Sequence, residues 1–389
     1  MIHFNFDKDC CGCRACEDRC PKKCISIAPN KYGFVVPKVD VSKCIQCGLC
    51  DRICPYLNTI PSETVFPRVF SAYAINDEIR ECGSSGSIFY LLASYIIKES
   101  GIVYGAAFST DLKVRHVGAE TLEDLIPLMK SKYIQSDTKN IYSQVIASLK
   151  SGRKVMFVGT PCQTRALFNI LNGKKPDNLL LIDFICHGVP SQELFDKSIA
   201  KWEKDHNRTI LDFSFRKKSQ QSLHRYSIRY QDNIDKEVHT EEGLPKEFPF
   251  YLGYLRYNIF RDSCYSCKYL GSQRVSDITL GDFWFLDKLK PITDFNRGYS
   301  MIVVNSAKGQ QMFNLLLNDK LVDTEEFSVE TAVKYNHAYT KPTRKSIVHK
   351  LFKHAYISKP YDYIEKYYFG TKFTFLHKIV RVIIRELKL

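Results

Sequence analysis

Eight of the fifteen cysteines fall in two copies of one short pattern. Cys10-x2-Cys13-x2-Cys16-x3-Cys20-Pro21 is repeated as Cys44-x2-Cys47-x2-Cys50-x3-Cys54-Pro55. Two-residue gaps put three thiols on one tight loop, close enough to grip three irons of a single cubane. The fourth cysteine of each run, followed by proline, reaches across to the other cubane. This spacing predicts a bacterial ferredoxin-type pair of [4Fe-4S] clusters. One is expected on Cys10, Cys13, Cys16 and Cys54, the other on Cys44, Cys47, Cys50 and Cys20. A disulfide framework would need a secreted chain, and Met1-Ile2-His3-Phe4 opens without a basic and apolar leader. Zinc sites use pairs of cysteines, not a duplicated run of four ending in Cys-Pro. Cys11 and Cys24 lie outside the pattern and read as close packing beside a cluster.

At 389 residues the chain is too long for such a module alone, and its length predicts two to three domains. An apolar fraction of 44% and a charged fraction of 25% are ordinary for a globular protein with a packed core. No apolar run approaches the ~20 residues that span a bilayer. The absence of a leader, with many thiols, points to the cytoplasm. Of the net charge of +14, residues 341–389 carry +9, from twelve Lys/Arg against three Asp/Glu. The excess belongs to a tail, and no nucleic-acid-binding module accompanies it, so no nucleic-acid partner is expected.

The expected organisation is a ferredoxin-type domain over 1–57, a linker over 58–67 marked by Pro61 and Pro67, a main domain over 68–335, and a basic tail over 336–389. In the main domain, strands expected at 69–75, 101–108, 154–158 and 179–185 alternate with helices at 87–99 and 163–171. Such alternation indicates an α/β domain with a mostly parallel core. Strands at 211–216, 226–231, 278–285 and 299–304 look antiparallel, as additions to the same sheet or as a flanking β subdomain. The fold class is therefore multidomain α+β and α/β, with a mixed sheet.

Four later cysteines are informative by their placement. Cys162, in Gly159-Thr160-Pro161-Cys162-Gln163, and Cys186, in Cys186-His187-Gly188-Val189-Pro190-Ser191, each directly follow an expected strand. Both therefore project from strand carboxyl ends, where open α/β sheets place their ligand crevice. Cys264-x2-Cys267 adds a thiol pair of metal-binding spacing. Together the four suffice for a third [4Fe-4S] cluster. Zinc on Cys264, Cys267 and two others competes with it, as do buried structural thiols for Cys162 and Cys186. His187 is a candidate as ligand, proton donor or hydrogen-bonding support.

With Gly83-Ser84-Ser85-Gly86, Val103-Tyr104-Gly105-Ala106, Lys132-Tyr133-Ile134-Gln135-Ser136 and Asp277-Ile278-Thr279-Leu280-Gly281-Asp282-Phe283-Trp284 added to these stretches, a family resemblance emerges. Over roughly residues 1–310 the chain resembles the beta-subunit family of coenzyme F420 hydrogenase/dehydrogenase. This iron–sulfur flavoprotein group includes 7-hydroxymethyl chlorophyll a reductase. The resemblance implies an FAD close to an iron–sulfur cluster, with Ser84, Ser85, Gly86, Lys132, Tyr133, Gln135 and Ser136 as cofactor-binding residues and His187 as the catalytic candidate. By spacing alone, the Gly83–Ser87 loop is equally a helix start, whose N–H groups can receive a pyrophosphate, and Lys132 and Gln135 are equally a solvated loop. Where the family has Ser-Ser-Gly-Gly, this chain has Ser84-Ser85-Gly86-Ser87, which narrows the backbone options. Nothing marks a deazaflavin pocket.

The expected function is an iron–sulfur flavoprotein oxidoreductase that passes electrons between the N-terminal clusters and FAD, with an organic substrate. Similar bacterial proteins accompany polysaccharide biosynthesis, which suggests a glycan precursor. A ferredoxin or a partner subunit is the expected redox partner. The rival is a non-catalytic electron-transfer subunit. A basic amphipathic helix over 372–389 suits peripheral contact with an anionic membrane, and equally a helix docked on protein.

Overall fold

The computed structural model describes residues 2–61, 67–219 and 222–369. The duplicated cysteine run folds into duplicated backbone. Gly12 and Gln46, two residues past the first cysteine of each copy, have φ of 67° and 53°. Arg14 and Gly48, two residues further on, have φ of 59° and 71° and open the helical turns Ala15–Asp18 and Leu49–Ile53. These left-handed positions curl each loop around its thiols, and the Gly12 N–H donates to Cys10 Sγ at 3.3 Å. Strands β1 (Ile25–Pro29) and β2 (Val35–Val39) pair antiparallel, Ile25 opposite Val39.

The main domain begins with β3 (Arg68–Ala74), β4 (Ile102–Phe108), β5 (Val114–Ala119), β6 (Val155–Gly159) and β7 (Leu179–Phe184). A separate antiparallel sheet follows, made of β8 (Arg208–Ser214), β9 (Tyr226–Asp232) and β10 (Val238–Gly243). The chain then returns to the large sheet with β11 (Ile278–Asp282), β12 (Ser300–Val304) and β13 (Val322–Phe327). The resulting eight-stranded sheet runs β13-β3-β12-β11-β7-β6-β4-β5. Its centre is parallel, through β4 with β6, β6 with β7, and β7 with β11, and both flanks are antiparallel.

Covered faces explain the sequence of the central strands. Val155, Met156, Phe157, Leu179, Leu181 and Ile182 are buried, as parallel strands packed on both sides require. The expected helices appear as Ile88–Lys98 and Pro161–Ile170. The later strands take both roles left open: two join the large sheet and two form the separate one. Strands β5, β10 and β13 escape the sequence pattern because they are edges, with polar residues such as Asp323, Glu325 and Glu326 that suit an uncovered side.

The region expected as a basic tail divides. Helix Ile347–Ser358 buries Val348 and packs Phe352 and Ala355 into a core with Phe195, Phe213 and Tyr251, and Ile364 and Phe369 join it. Residues 336–369 thus belong to the folded body, while the expected helix over 372–389 lies outside the described residues. Among the described residues no helix is long and apolar enough to cross a membrane.

One buried group sets an acid sensitivity. His116 on β5 stacks on Phe157 at 5.5 Å, and its Nε2 meets the Val158 carbonyl at 3.0 Å. Burial pulls its pKa down to about 4. Between the ordinary histidine value of ~6.5 and that value, the unfolded chain binds a proton that the folded chain refuses, so stability falls as pH falls. His116→Gln should flatten this loss by up to about 3 kcal/mol. Urea unfolding of both proteins from pH 7 to 4 checks it, and parallel curves would refute it.

Candidate metal centres

Two cavities in the N-terminal module divide its eight motif cysteines four and four. The first, of about 400 Å3, is lined by Cys10, Cys13, Cys16 and Cys54, with Ile2, Phe4 and Pro37 among its apolar walls. The second, of about 380 Å3, is lined by Cys20, Cys44, Cys47 and Cys50, with Ile25 and Val39. The crossing of Cys20 and Cys54 is the one expected from spacing. Each set offers four thiols in an apolar shell, a donor set that suits an iron–sulfur cubane. Cys47 is exposed, whereas Cys13 and Cys54 are buried, so the second cavity opens to solvent.

A third cavity, of about 750 Å3, lies where the module meets the main domain. Cys162, Cys186, Cys264 and Cys267 all line it, although they come from three separate stretches of chain. Cys162 sits in the first turn of helix Pro161–Ile170, started by Thr160, whose N–H donates to Gln163 Oε1 at 2.9 Å. The Thr160 hydroxyl also contacts Cys162 Sγ at 3.1 Å. Cys186 follows β7, and Gly188 lets the chain pass Phe260 and Cys264 at a φ of 134°. Burial pushes the Cys264 thiol up to about 12 and the Cys267 thiol up to about 11. A bound metal reverses that preference, since thiolate is the ligand form.

A fifth cysteine, Cys11, lines this cavity as well. Cys11 and Tyr56 line both the first and the third cavity and so form their common wall. The second cavity shares no lining residue with either.

Arg261 locks the module onto the main domain. Its guanidinium donates to Cys10 O at 3.1 Å, to Val35 O at 2.9 Å, and to Gln135 Oε1 at 2.7 and 3.0 Å. Gln135 in turn donates through Nε2 to Cys11 O at 2.9 Å. Ser136 accepts from Gln163 Nε2 at 3.0 Å. Gln135 and Ser136 therefore face the third cavity, apart from the other expected cofactor residues.

Of those others, Ser84, Ser85 and Tyr133 lie around a buried ion pair. Arg216, which follows β8, grips Asp282 at the end of β11 with two hydrogen bonds, of 2.9 and 3.1 Å. It also donates to Ser84 O at 2.7 Å and Tyr133 Oη at 3.1 Å. Burial raises the Asp282 carboxyl, and the Arg216 charge more than reverses this, leaving it below the ordinary range. Lys218 Nζ donates to Ser85 O at 2.6 Å, and burial draws its pKa down to about 7. Lys132 Nζ lies between the carbonyls of Pro127 and Met129, at 2.7 and 2.6 Å, also lowered by burial to about 7. His224 stacks on Trp284 at 5.1 Å and is pulled down to about 4, by burial first and by Arg216 second.

Gly86 serves packing. Its N–H donates to Ser300 Oγ at 2.9 Å, and a side chain there would sit 2.2 Å from Ala72 O. Ser87, at the departure from the family pattern, holds a left-handed φ of 63° and donates through its hydroxyl to Arg80 O at 3.0 Å. His187 stacks on Tyr257 at 5.3 Å, and burial lowers its pKa, with the Asp282 charge acting against this. Cys186-His187 thus spans from the third cavity toward the Arg216–Asp282 ion pair.

Sequence reasoning missed Arg216, Lys218, Arg261 and the part played by Cys11. Only Asp282 had a signal, within the quoted motif. Its neighbour Asp277 is structural, accepting from Leu181 N at 2.8 Å, Lys175 Nζ at 2.6 Å and Ser306 Oγ at 2.7 Å.

Residues 152–330 match the family model for the C-terminal part of the coenzyme F420 hydrogenase/dehydrogenase beta subunit. Residues 9–58 match the 4Fe-4S dicluster domain. Among curated proteins no match is found. A chain in the solved F420-reducing [NiFe] hydrogenase complex from Methanosarcina barkeri is similar at 18% identity, over 80% of this chain and 95% of that one, with a TM-score of 0.44. The chain therefore carries a segment that matches a 4Fe-4S dicluster domain ahead of one that matches the C-terminal part of the coenzyme F420 hydrogenase/dehydrogenase beta subunit, and the chemistry these matches support is iron–sulfur electron transfer.

Proposed function

We propose that the chain is an iron–sulfur flavoprotein oxidoreductase that carries electrons from its N-terminal clusters, through a third cluster, to an FAD. The observation that carries this reading is the convergence of Cys162, Cys186, Cys264 and Cys267 on one cavity, where the module meets the main domain. Cys10, Cys13, Cys16 and Cys54 hold one cluster, Cys44, Cys47, Cys50 and Cys20 the second, and the four later cysteines the third. Bound clusters supply single electrons, and a flavin converts them to a two-electron step.

The residues of this chain bind, orient and shield. Ser84, Ser85, Tyr133, Arg216 and Lys218 form a polar cluster that we assign to the polar parts of FAD, and Gly86 lets its loop lie against β3. Gln135 and Ser136 frame the third cluster in place of the flavin contacts expected from the sequence. His187, which follows Cys186 and feels the Asp282 charge, is the proton donor or acceptor assigned to the reaction. The substrate class is an organic molecule that exchanges a hydride, with a glycan precursor as the family resemblance suggests. The electron partner is a ferredoxin or a partner subunit that approaches the exposed Cys47 side.

Anaerobic purification, with iron, acid-labile sulfide, zinc and flavin quantified together, tests the reading. About twelve irons and one FAD per chain are expected from three cubanes, with reduction of an artificial dye by the isolated chain. About eight irons without flavin would leave an electron relay that lacks a substrate site. Zinc on the late cysteines would overturn the third cluster.

A further inference from the structure

We infer that Cys11 is a positioning residue that couples the first ferredoxin-type cluster to the third, so that electrons leave the module through the Cys10/Cys13/Cys16/Cys54 cluster and not through its twin. The inference rests on the third cluster proposed above. Its basis is the shared wall: Cys11 and Tyr56 line both cavities, and the second cavity shares no lining residue with the third. Cys11 shares the wall of the first cavity with Cys13 and that of the third with Cys162. Each of those sulfurs belongs to a set of four that is complete without Cys11. Its thiol is therefore free to bridge them.

The main domain sets this geometry. Gln135 Nε2 holds Cys11 O at 2.9 Å and Gly12 O at 3.2 Å, and Arg261 and Ser263 each hold Cys10 O at 3.1 Å. Gly12 leaves room for this grip, since a side chain there would lie 2.5 Å from Gln135 Nε2 and 2.6 Å from Arg261 Nη2. The Cys11 backbone is thus held at the common wall of the two cavities from the side of the domain that receives the electron. A hydrogen bond to a ligand sulfur raises a cluster's reduction potential, and a packed sulfur keeps the path between clusters short and dry. The step served is the transfer of one electron. The first cluster is oxidised by one electron and the third reduced by one, and no bond or proton moves. A low-potential one-electron carrier protein supplies the electron, and the flavin removes it.

Cys11→Ala and Cys11→Ser, made in the full chain and purified anaerobically, test the inference. Iron content, the EPR-monitored potential of each cluster and the rate at which the third cluster is reduced after mixing with dithionite are the readouts. Expected are unchanged iron in both variants, a more negative potential for the first or third cluster in Cys11→Ala, and about tenfold slower reduction of the third cluster, the scale of one net hydrogen bond. Cys11→Ser keeps an O–H donor and should recover much of both effects. Loss of about four irons on either substitution would make Cys11 a ligand and overturn the inference. Unchanged potentials and rate would make it filler and overturn it as well. About eight irons in the unsubstituted chain would instead remove the third cluster itself, a failure visible before any variant is made.

Discussion

Gly188→Ala should strip about four of about twelve irons from the chain and leave the other eight in place. Gly188 holds a φ of 134°, a conformation that a residue with a Cβ rarely adopts. The added Cβ would lie 2.4 Å from Phe260 Cδ2 and 3.1 Å from Cys264 Cβ. Phe260 is fully buried among Tyr254, Tyr265 and Tyr257 and has nowhere to retreat. The strain therefore falls on the Cys186 and Cys264 loops, which carry two of the four thiols of the third cavity. Gly152→Ala is the control, because its φ of 81° carries a similar backbone penalty while its Cβ would meet nothing within 4 Å. If both variants lose iron equally, the effect is general instability. If neither does, the third centre does not depend on this loop.

Arg261→Ala should loosen the cluster module from the main domain at a cost of ~3–5 kcal/mol. Arg261 is 2% exposed, and its removal leaves Cys10 O, Val35 O and Gln135 Oε1 without that donor inside the junction. Its guanidinium also lies over the Phe34 ring at 4.8 Å. Lysine should not rescue, since an ammonium cannot present the planar fork that reaches three acceptors at once. The expected readout is a urea transition split in two, with the module unfolding first. A single transition at an unchanged midpoint would show that the other junction contacts suffice, such as Thr138 Oγ1 to Cys13 O at 2.8 Å.

Local chemistry was legible along the chain, and edges and long-range partners were not. The central strands read clearly because burial on both faces demands unbroken apolar runs. The edge strands β5, β10 and β13 did not, because an edge tolerates polar residues on its uncovered side. Residues 132–136 form one stretch in the sequence, yet they serve two places. Tyr133 meets Arg216 and Lys132 holds the carbonyls of Pro127 and Met129, while Gln135 and Ser136 face the third cavity, with Ile134 buried between. A five-residue motif carries no mark of that division. The basic region beyond 335 was legible by charge, but not its apolar face, which puts Phe352 and Phe369 into the core.

By itself the sequence determined the two four-cysteine sets of the module, because two-residue gaps set the reach of a loop within a few bonds. It also brought Cys162 and Cys186 to strand ends, since both follow apolar runs that could only be buried strands. The tertiary structure decided what the distance along the chain conceals. It brought Cys264 and Cys267 to those strand ends, set Arg261 against Cys10, and placed Cys11 in the common wall of the first and third cavities. Spacing governs ligands that share one loop. Where thiols and their supports come from loops far apart in the chain, only the packing of the sheet and of the docked module determines which of them meet.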